Sequence, residues 1–343
     1  MATTAFPQGQ NTYVKSTEST KNLLINYSRN PNDFALNKYI QAVPVDKSVG
    51  LYTEMSVEEA GRILSATDNE HLWEDGEDAP SSRGNTEKHA FKPYTTARRN
   101  FDYRLGQKAV DQASFDVLGI HGKIKAQQAM TSRTVRALGL LTTGGNWPAA
   151  NTAAISAITG TTGKWDVSTT ARLDIKRSIV YAVNQITLGT LAAVKPYRDL
   201  VWVMSPVLAG YLAETQEIVD FIKGSPTAIE YIKQNLGPNS AHGLPASLYG
   251  VPVTVEDTVK VTNNKGATKA TSFAMGATVS FLAARPGALN GSKGDSDEGR
   301  GTNEQPSFAT CTMFVYEDMT VETKEDVDNR VHKGRIVCDD GFV

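Results

Sequence analysis

The chain has 343 residues, with 35 Lys and Arg against 37 Asp and Glu. So even a balance supplies no long-range field for nucleic acid or an anionic membrane, and any DNA contact must be local. Forty per cent apolar residues suit a folded chain of one large or two moderate domains and argue against disorder. Two cysteines, Cys311 and Cys338, cannot staple such a length. The start Met1-Ala2-Thr3-Thr4 lacks the basic-then-apolar order of a secretory signal, and no apolar run reaches the ~20 residues of a membrane span. A soluble assembly that folds in reducing cytoplasm is expected.

Residues 1–22 are mostly Thr, Ser, Gln, Asn and Lys, with Phe6, Tyr13 and Val14 isolated among them. Too sparse to build a core, they read as an arm that becomes ordered only against a neighbour. A short helical pattern at 57–64 precedes a polar, acidic stretch at 73–84, and strand-like runs follow at 88–96 and 98–104. Polar turn chemistry between extended runs predicts a long two-stranded loop. An isolated hairpin is marginal in water, so this one should rest on another surface.

The clearest helix is predicted over 106–138. Val110, Ala113, Val117, Ile120 and Ile124 step by three and four residues, while Lys108, Asp111, Lys125 and Arg133 fall largely off that stripe. Gly119 and Gly122 each cost ~1 kcal/mol relative to alanine and mark a place for a kink or a close backbone approach.

Beyond the loose segments 142–148 and 159–163, Ser168 or Thr169 can cap a second helix. Its apolar positions are Ala171, Ile175, Ile179, Ala182, Val183 and Ile186, and Gly189 ends it. Leu200-Val201-Trp202-Val203-Met204 is the all-apolar run of a strand covered on both faces. Ser205-Pro206 then joins an N-cap to a proline at the first helical position. Short helices are predicted at 217–222 and 227–236. The run 248–255 reads as an edge strand, because Pro252 cannot donate to a ladder. A further apolar strand is expected at 273–283, an exposed loop at 286–306, and terminal strands at 308–316, 320–324 and 330–337. There is no internal repeat.

Patterns for chemistry are poor. Gly160-Thr161-Thr162-Gly163-Lys164-Trp165 is too short between glycines for a phosphate loop and has Trp where Ser or Thr would reach magnesium. Asp295-Ser296-Asp297-Glu298-Gly299 lacks the spacing of a calcium loop and reads as a solvated turn. His71, His89, His121, His242 and His332 show no metal-ligand spacing with one another or with the cysteines. No G-x-S-x-G elbow occurs. Arg98, Arg99, Phe101, Tyr103 and Arg104 could form a basic-aromatic nucleic-acid strip. With Asp102 among them and Glu74, Asp75, Glu77 and Asp78 nearby, they read better as an inter-subunit ion-pairing surface.

Arm, long hairpin, long helix, α/β unit and returning strands, in that order, resemble the Hong Kong 97-type major capsid protein of tailed bacteriophages, a fold shared with encapsulin shells. The likeness spans nearly the whole chain. Its best local carriers are Trp165-Asp166-Val167-Ser168, the run from Leu200 through Pro206 to Leu212, and Leu248-Tyr249-Gly250-Val251-Pro252-Val253. The terminal runs 314–318, 329–331 and 334–337 resemble the family's return strands. These are soft patterns whose specificity lies in order and spacing.

The resemblance implies an α+β fold with an N-arm and lead-in at 1–55 and an E-loop hairpin at 56–104. A P-domain with a long spine helix and β-sheet would take 105–165 and 306–334, and an α/β A-domain would take 166–305 and 335–343. It implies a non-enzymatic shell subunit, without cofactor or metal, that forms the pentamers and hexamers of an icosahedral phage head enclosing double-stranded DNA. Assembly in host cytoplasm and a place in the virion capsid follow. So do a portal protein, a separate scaffolding protein, and room for a decoration protein as partners, with non-specific DNA contact on the inner face and no membrane. Expected inter-subunit contacts are Trp73, Arg83, Lys88, Phe91, Lys92, Tyr94, Arg98 and Arg99. Lys88 and Lys92 lie where some relatives cross-link, but nothing marks an asparagine or carboxylate partner here. An encapsulin-type compartment shell and, in a different class, a monomeric α/β enzyme are the alternatives.

Overall fold

The computed structural model describes residues 33–55, 72, 75, 89–113, 116–161, 163–165, 174–233, 242–264, 266–286, 309–326 and 329–343. The expected arm at 1–22, the helical pattern at 57–64, most of 73–84, the capping Ser168 and Thr169, and 287–306 lie outside the described residues.

A short 3-10 turn at Ala35–Lys38 leads into β1 (Gln41–Pro44), β2 (Val49–Met55), β3 (His89–Thr95) and β4 (Ala97–Gly106). Helices α1 (Gln107–Asp111) and α2 (Val117–Leu141) follow. The next unit holds α3 (Asp174–Gly189), α4 (Pro196–Asp199), β5 (Leu200–Met204), α5 (Pro206–Glu214), α6 (Gln216–Lys223) and α7 (Pro226–Lys233). It continues with β6 (Ser247–Leu248), β7 (Val251–Val255), β8 (Val259–Val261), β9 (Thr271–Phe273) and β10 (Ser280–Ala284). Two long strands close the chain, β11 (Thr312–Asp326) and β12 (Val331–Phe342).

The helix expected over 106–138 is broken. Asp116 adopts a non-helical conformation and accepts a hydrogen bond from Gly119 N at 2.8 Å, so a new helix starts there and runs to Leu141. A short carboxylate that bonds its own backbone competes with helix propagation, which makes it a cap and not an interior residue. The buried face of α2 is Ala129, Met130, Arg133, Thr134, Ala137, Leu138 and Leu141. It therefore lies in the C-terminal half, and Ile124 of the expected stripe is 42% exposed. Arg133, expected off the stripe, is buried.

One four-stranded sheet has the order β1-β11-β12-β4, with β1 parallel to β11 and the other pairings antiparallel. A second has the order β10-β5-β7-β6. All five residues of β5 are buried, and they divide between two cores. Val201 and Val203 join Phe34, Leu36 and Tyr39 of the entry segment, Met130 and Leu138 of α2, and Met313 of β11. Leu200, Trp202 and Met204 join Ile175 and Ile179 of α3, Leu212, Ile218, Val251 and Val253. The alternation of a strand thus feeds one apolar run into two layers. Ser205 caps α5 as expected, accepting from Leu208 N at 3.2 Å, and α3 ends at Gly189.

Three expectations on the strands change. Pro252 does not lie on an outer strand, because β7 sits between β5 and β6, although β6 is only two residues long and pairs Ser247 with Pro252. The apolar run 273–283 divides into β9 and β10. The last strand, expected to return to the α/β unit from 335, stays in the first sheet to Phe342, pairing with β4 as far as Asp340.

A buried carboxylate joins the entry segment to the second sheet. Glu256, fully buried, accepts from Tyr39 Oη at 2.7 Å and from Thr258 Oγ1 and N at 2.5 and 3.2 Å. Burial, and then the Glu256 charge, push the Tyr39 phenol well above its ordinary range, so it remains a donor.

Candidate assembly surface

Strands β2 and β3 form an antiparallel ladder of their own, pairing Val49 with Thr95 through Met55 with His89. Residues directly opposite share a face, as do alternate residues along each strand. One face carries Gly50 opposite Tyr94 and Tyr52 opposite Lys92. Tyr94 stacks on Phe314 of β11, with ring centroids 4.3 Å apart, and Tyr52 approaches the same ring at 5.8 Å. Tyr94 Oη also donates to Lys47 O at 3.3 Å. Glycine is needed opposite it, since a Cβ at Gly50 would lie 2.6 Å from the Tyr94 hydroxyl. This face fastens the ladder to the first sheet.

The other face carries Val49, Leu51 and Thr53 opposite Thr95, Pro93 and Phe91. Val49, Leu51 and Phe91 are 62%, 66% and 67% exposed. Single exposed apolar residues are ordinary, but a contiguous stripe on a two-stranded ladder is a candidate contact surface.

Where the ladder meets the first sheet, β4 begins with an ionic cluster. Asp340, fully buried, accepts from Arg133 Nε at 2.6 Å and Arg136 Nη1 at 2.5 Å, and Arg99 Nη1 lies 3.4 Å away. Arg133 Nη2 also reaches Asp318 at 3.0 Å. Burial pushes the Asp340 carboxyl up, but hydrogen bonds and charge from Arg136 and Arg133 outweigh it and hold the group below the usual carboxylate range. Burial would lower the Arg133 guanidinium, and Asp340 and Asp318 raise it instead. The Arg136 guanidinium lies over the Phe342 ring at 5.1 Å. Arg98, more exposed, stands 3.6 Å from Glu317 and 3.8 Å from Asp339.

The sequence-predicted contacts are thus distributed. Phe91 lies on the outward face. Lys92 lies on the opposite face and is exposed. Tyr94, Arg98 and Arg99 engage their own chain, through a ring stack and ion pairs. Trp73, Arg83 and Lys88 lie outside the described residues. Sequence reasoning missed Val49, Leu51 and Pro93. The first two sit in the alternating run Val49-Gly50-Leu51-Tyr52-Thr53, where Gly50 weakened the strand signal, so the ladder begins before residue 56.

No family model matches the chain, and no curated protein does. Solved structures do. A capsid structure of the cyanophage P-SCSP1u is similar with a TM-score of 0.54 at 12% identity, covering 96% of this chain and 89% of that one. A phage-related protein from Bordetella bronchiseptica RB50 has a TM-score of 0.55 at 11% identity, over 89% of this chain and 86% of that one. The chain has the Hong Kong 97-type fold. The long helix α2 packs on the β1-β11-β12-β4 sheet through Met313 and the Asp340 cluster. Strand β2 ends just before, and β3 lies within, the stretch 56–104 expected as the E-loop hairpin.

Burial pushes the Cys311 thiol up to about 12, which leaves it an inert core group. Among the described residues, no group of three or more His, Cys, Asp or Glu is placed to hold a metal ion, and no helix is long and apolar enough to cross a membrane.

Proposed function

We propose that this chain is the major capsid protein of a tailed bacteriophage, a non-enzymatic subunit that closes into an icosahedral head around double-stranded DNA. The observation that carries the reading is the outward face of the β2–β3 ladder. Val49, Leu51 and Phe91 stay exposed while the other face is spent on Phe314. In this fold that face is available to a neighbouring copy. Heterologous contacts of this kind close into rings when the rotation is right, and many weak contacts then add. Pentamers and hexamers built by the α/β unit, a P-domain of spine helix and returning strands, and E-loop contacts from Trp73, Arg83, Lys88, Phe91 and Lys92 complete the proposal, with Tyr94 holding the ladder to its own chain. Arg98 and Arg99 serve it indirectly, by holding the base of the loop to the first sheet. A portal protein, a separate scaffolding protein and non-specific DNA contact on the inner face are the partners it entails.

The test is to purify the full chain, raise its concentration, and examine it by negative-stain electron microscopy and sedimentation. Closed shells are expected. A stable monomer at high concentration would refute the proposal. Deleting residues 75–88 should abolish closed shells, and normal shells from that variant would remove the loop from the mechanism. A particle that retains a cargo enzyme and excludes DNA would identify a compartment shell instead.

A further inference from the structure

Two blocks of opposite charge stand out from an otherwise evenly mixed chain. From Leu64 to Ser82 there are six acids, Asp68, Glu70, Glu74, Asp75, Glu77 and Asp78, and no Lys or Arg. From Thr258 to Gly294 there are five bases, Lys260, Lys265, Lys269, Arg285 and Lys293, and no acid. The second block contains the β8–β9 ribbon. Its strands pair Val259 with Phe273 and Val261 with Thr271, so these four residues share one face. Val259, Val261 and Phe273 are 47%, 60% and 39% exposed.

A ribbon of three residues a side is marginal in water unless something supports it. Its base is fixed. Thr258 and Met275 are buried, and Ala274 N donates to Thr258 O at 2.8 Å. Its tip is also tied. Asn263 Nδ2 donates to Ala267 O at 3.1 Å, and Asn263 Oδ1 accepts from Ala270 N at 3.0 Å. The exposed face is therefore preformed and apolar, and the ribbon that carries it holds Lys260, Lys265 and Lys269 and no acid.

We infer that the β8–β9 ribbon is the receptor for the acidic stretch 68–78 of a second copy of this chain. That stretch is matched in kind: Leu72 and Trp73 stand among its acids, and Leu72 is 62% exposed. A heterologous contact needs two different complementary patches on one molecule, and these blocks supply them. Opposed patches raise the encounter rate and fix the register, and like charges brought together there cost several kcal/mol. The inference rests on the shell-subunit reading and assigns one of its contacts.

Two full-length variants test it. One carries Lys260→Glu and Lys269→Glu, which takes the ribbon 259–273 from a net +3 to -1; the other carries Glu74→Lys, Asp75→Lys, Glu77→Lys and Asp78→Lys, which takes the stretch 68–78 from a net -6 to +2. Each alone should fold, by circular dichroism and thermal melting, but yield at least ~10-fold fewer closed particles than wild type, given the cost of opposed like charges. Mixed in equal amounts, they should co-assemble, because every junction between unlike copies is then attractive. Normal assembly by either variant alone, while wild type also assembles, overturns the inference and leaves the shell reading standing. Rescue by placing all six changes in one chain, but not by mixing, overturns it too, since the contact would then lie within a subunit. Wild-type protein that forms no particles sinks both.

Discussion

Replacing Asp340 by Asn keeps the side-chain shape but removes the charge on which three arginines converge. Asp340 is fully buried, and Arg133, its partner at 2.6 Å, has only 5% of its side chain exposed. Breaking a buried pair from one side leaves the other charge uncompensated, at about 3–5 kcal/mol. The lower end applies, because Arg133 keeps Asp318 at 3.0 Å, and the side chains of Arg136 and Arg99 are 22% and 31% exposed and can turn to water. About 3 kcal/mol should therefore be lost in equilibrium urea unfolding at neutral pH, seen as a lower midpoint at unchanged slope. The sign with pH is fixed. A carboxyl held below its unfolded value of 3.8 contributes stability that is present above that value and is lost as pH falls through the folded one. The gap between wild type and D340N should accordingly narrow below about pH 3.8. Asp318→Asn is the control: with 77% of that side chain exposed, it should cost less than about 1 kcal/mol. A D340N loss under about 1 kcal/mol, or a gap that widens in acid, would refute the reasoning.

Other substitutions probe the joints of the fold. A Cβ at Gly341 would lie 2.1 Å from the backbone oxygen of Thr95, so Gly341→Ala should part the β2–β3 ladder from the first sheet and cost about 2 kcal/mol or more in thermal or urea unfolding. Tyr94→Ala removes the stack on Phe314, and amide exchange over 49–55 and 89–95 should quicken by at least ~10-fold while the β11–β12 ladder is unchanged. Glu217 accepts from Ile175 N and Lys176 N at 2.9 Å each and from Tyr249 Oη at 2.7 Å. As a carboxylate at the start of α3, it should cost about 1–2 kcal/mol when changed to Ala, read by chemical denaturation. Phe91→Asp should leave stability within about 0.5 kcal/mol of wild type, since the ring is largely exposed. It should nevertheless abolish closed particles by electron microscopy.

Much of this protein is written locally. The Leu200–Met204 strand, the Ser205-Pro206 start of α5, the stop at Gly189 and the order of segments each depend on neighbours within a few residues, where periodicity, capping and proline geometry act. That order alone pointed to the fold. Asp116 was legible in principle as well, being an ordinary N-cap residue, but the three- and four-residue spacing running across it concealed the break.

What the tertiary structure decided depends on pairs far apart in sequence. That Arg133 is a buried charge and not a surface one follows from Asp340, 207 residues away. That Tyr94 faces inward while Phe91 faces outward follows from Phe314 lying beneath one face of a ladder whose first strand begins at Val49. That β12 stays in the first sheet to Phe342 follows from its pairing with β4, a choice between ladders that no local preference makes. Sequence fixes which residues can form a strand; burial against a distant partner fixes which face is left for another copy.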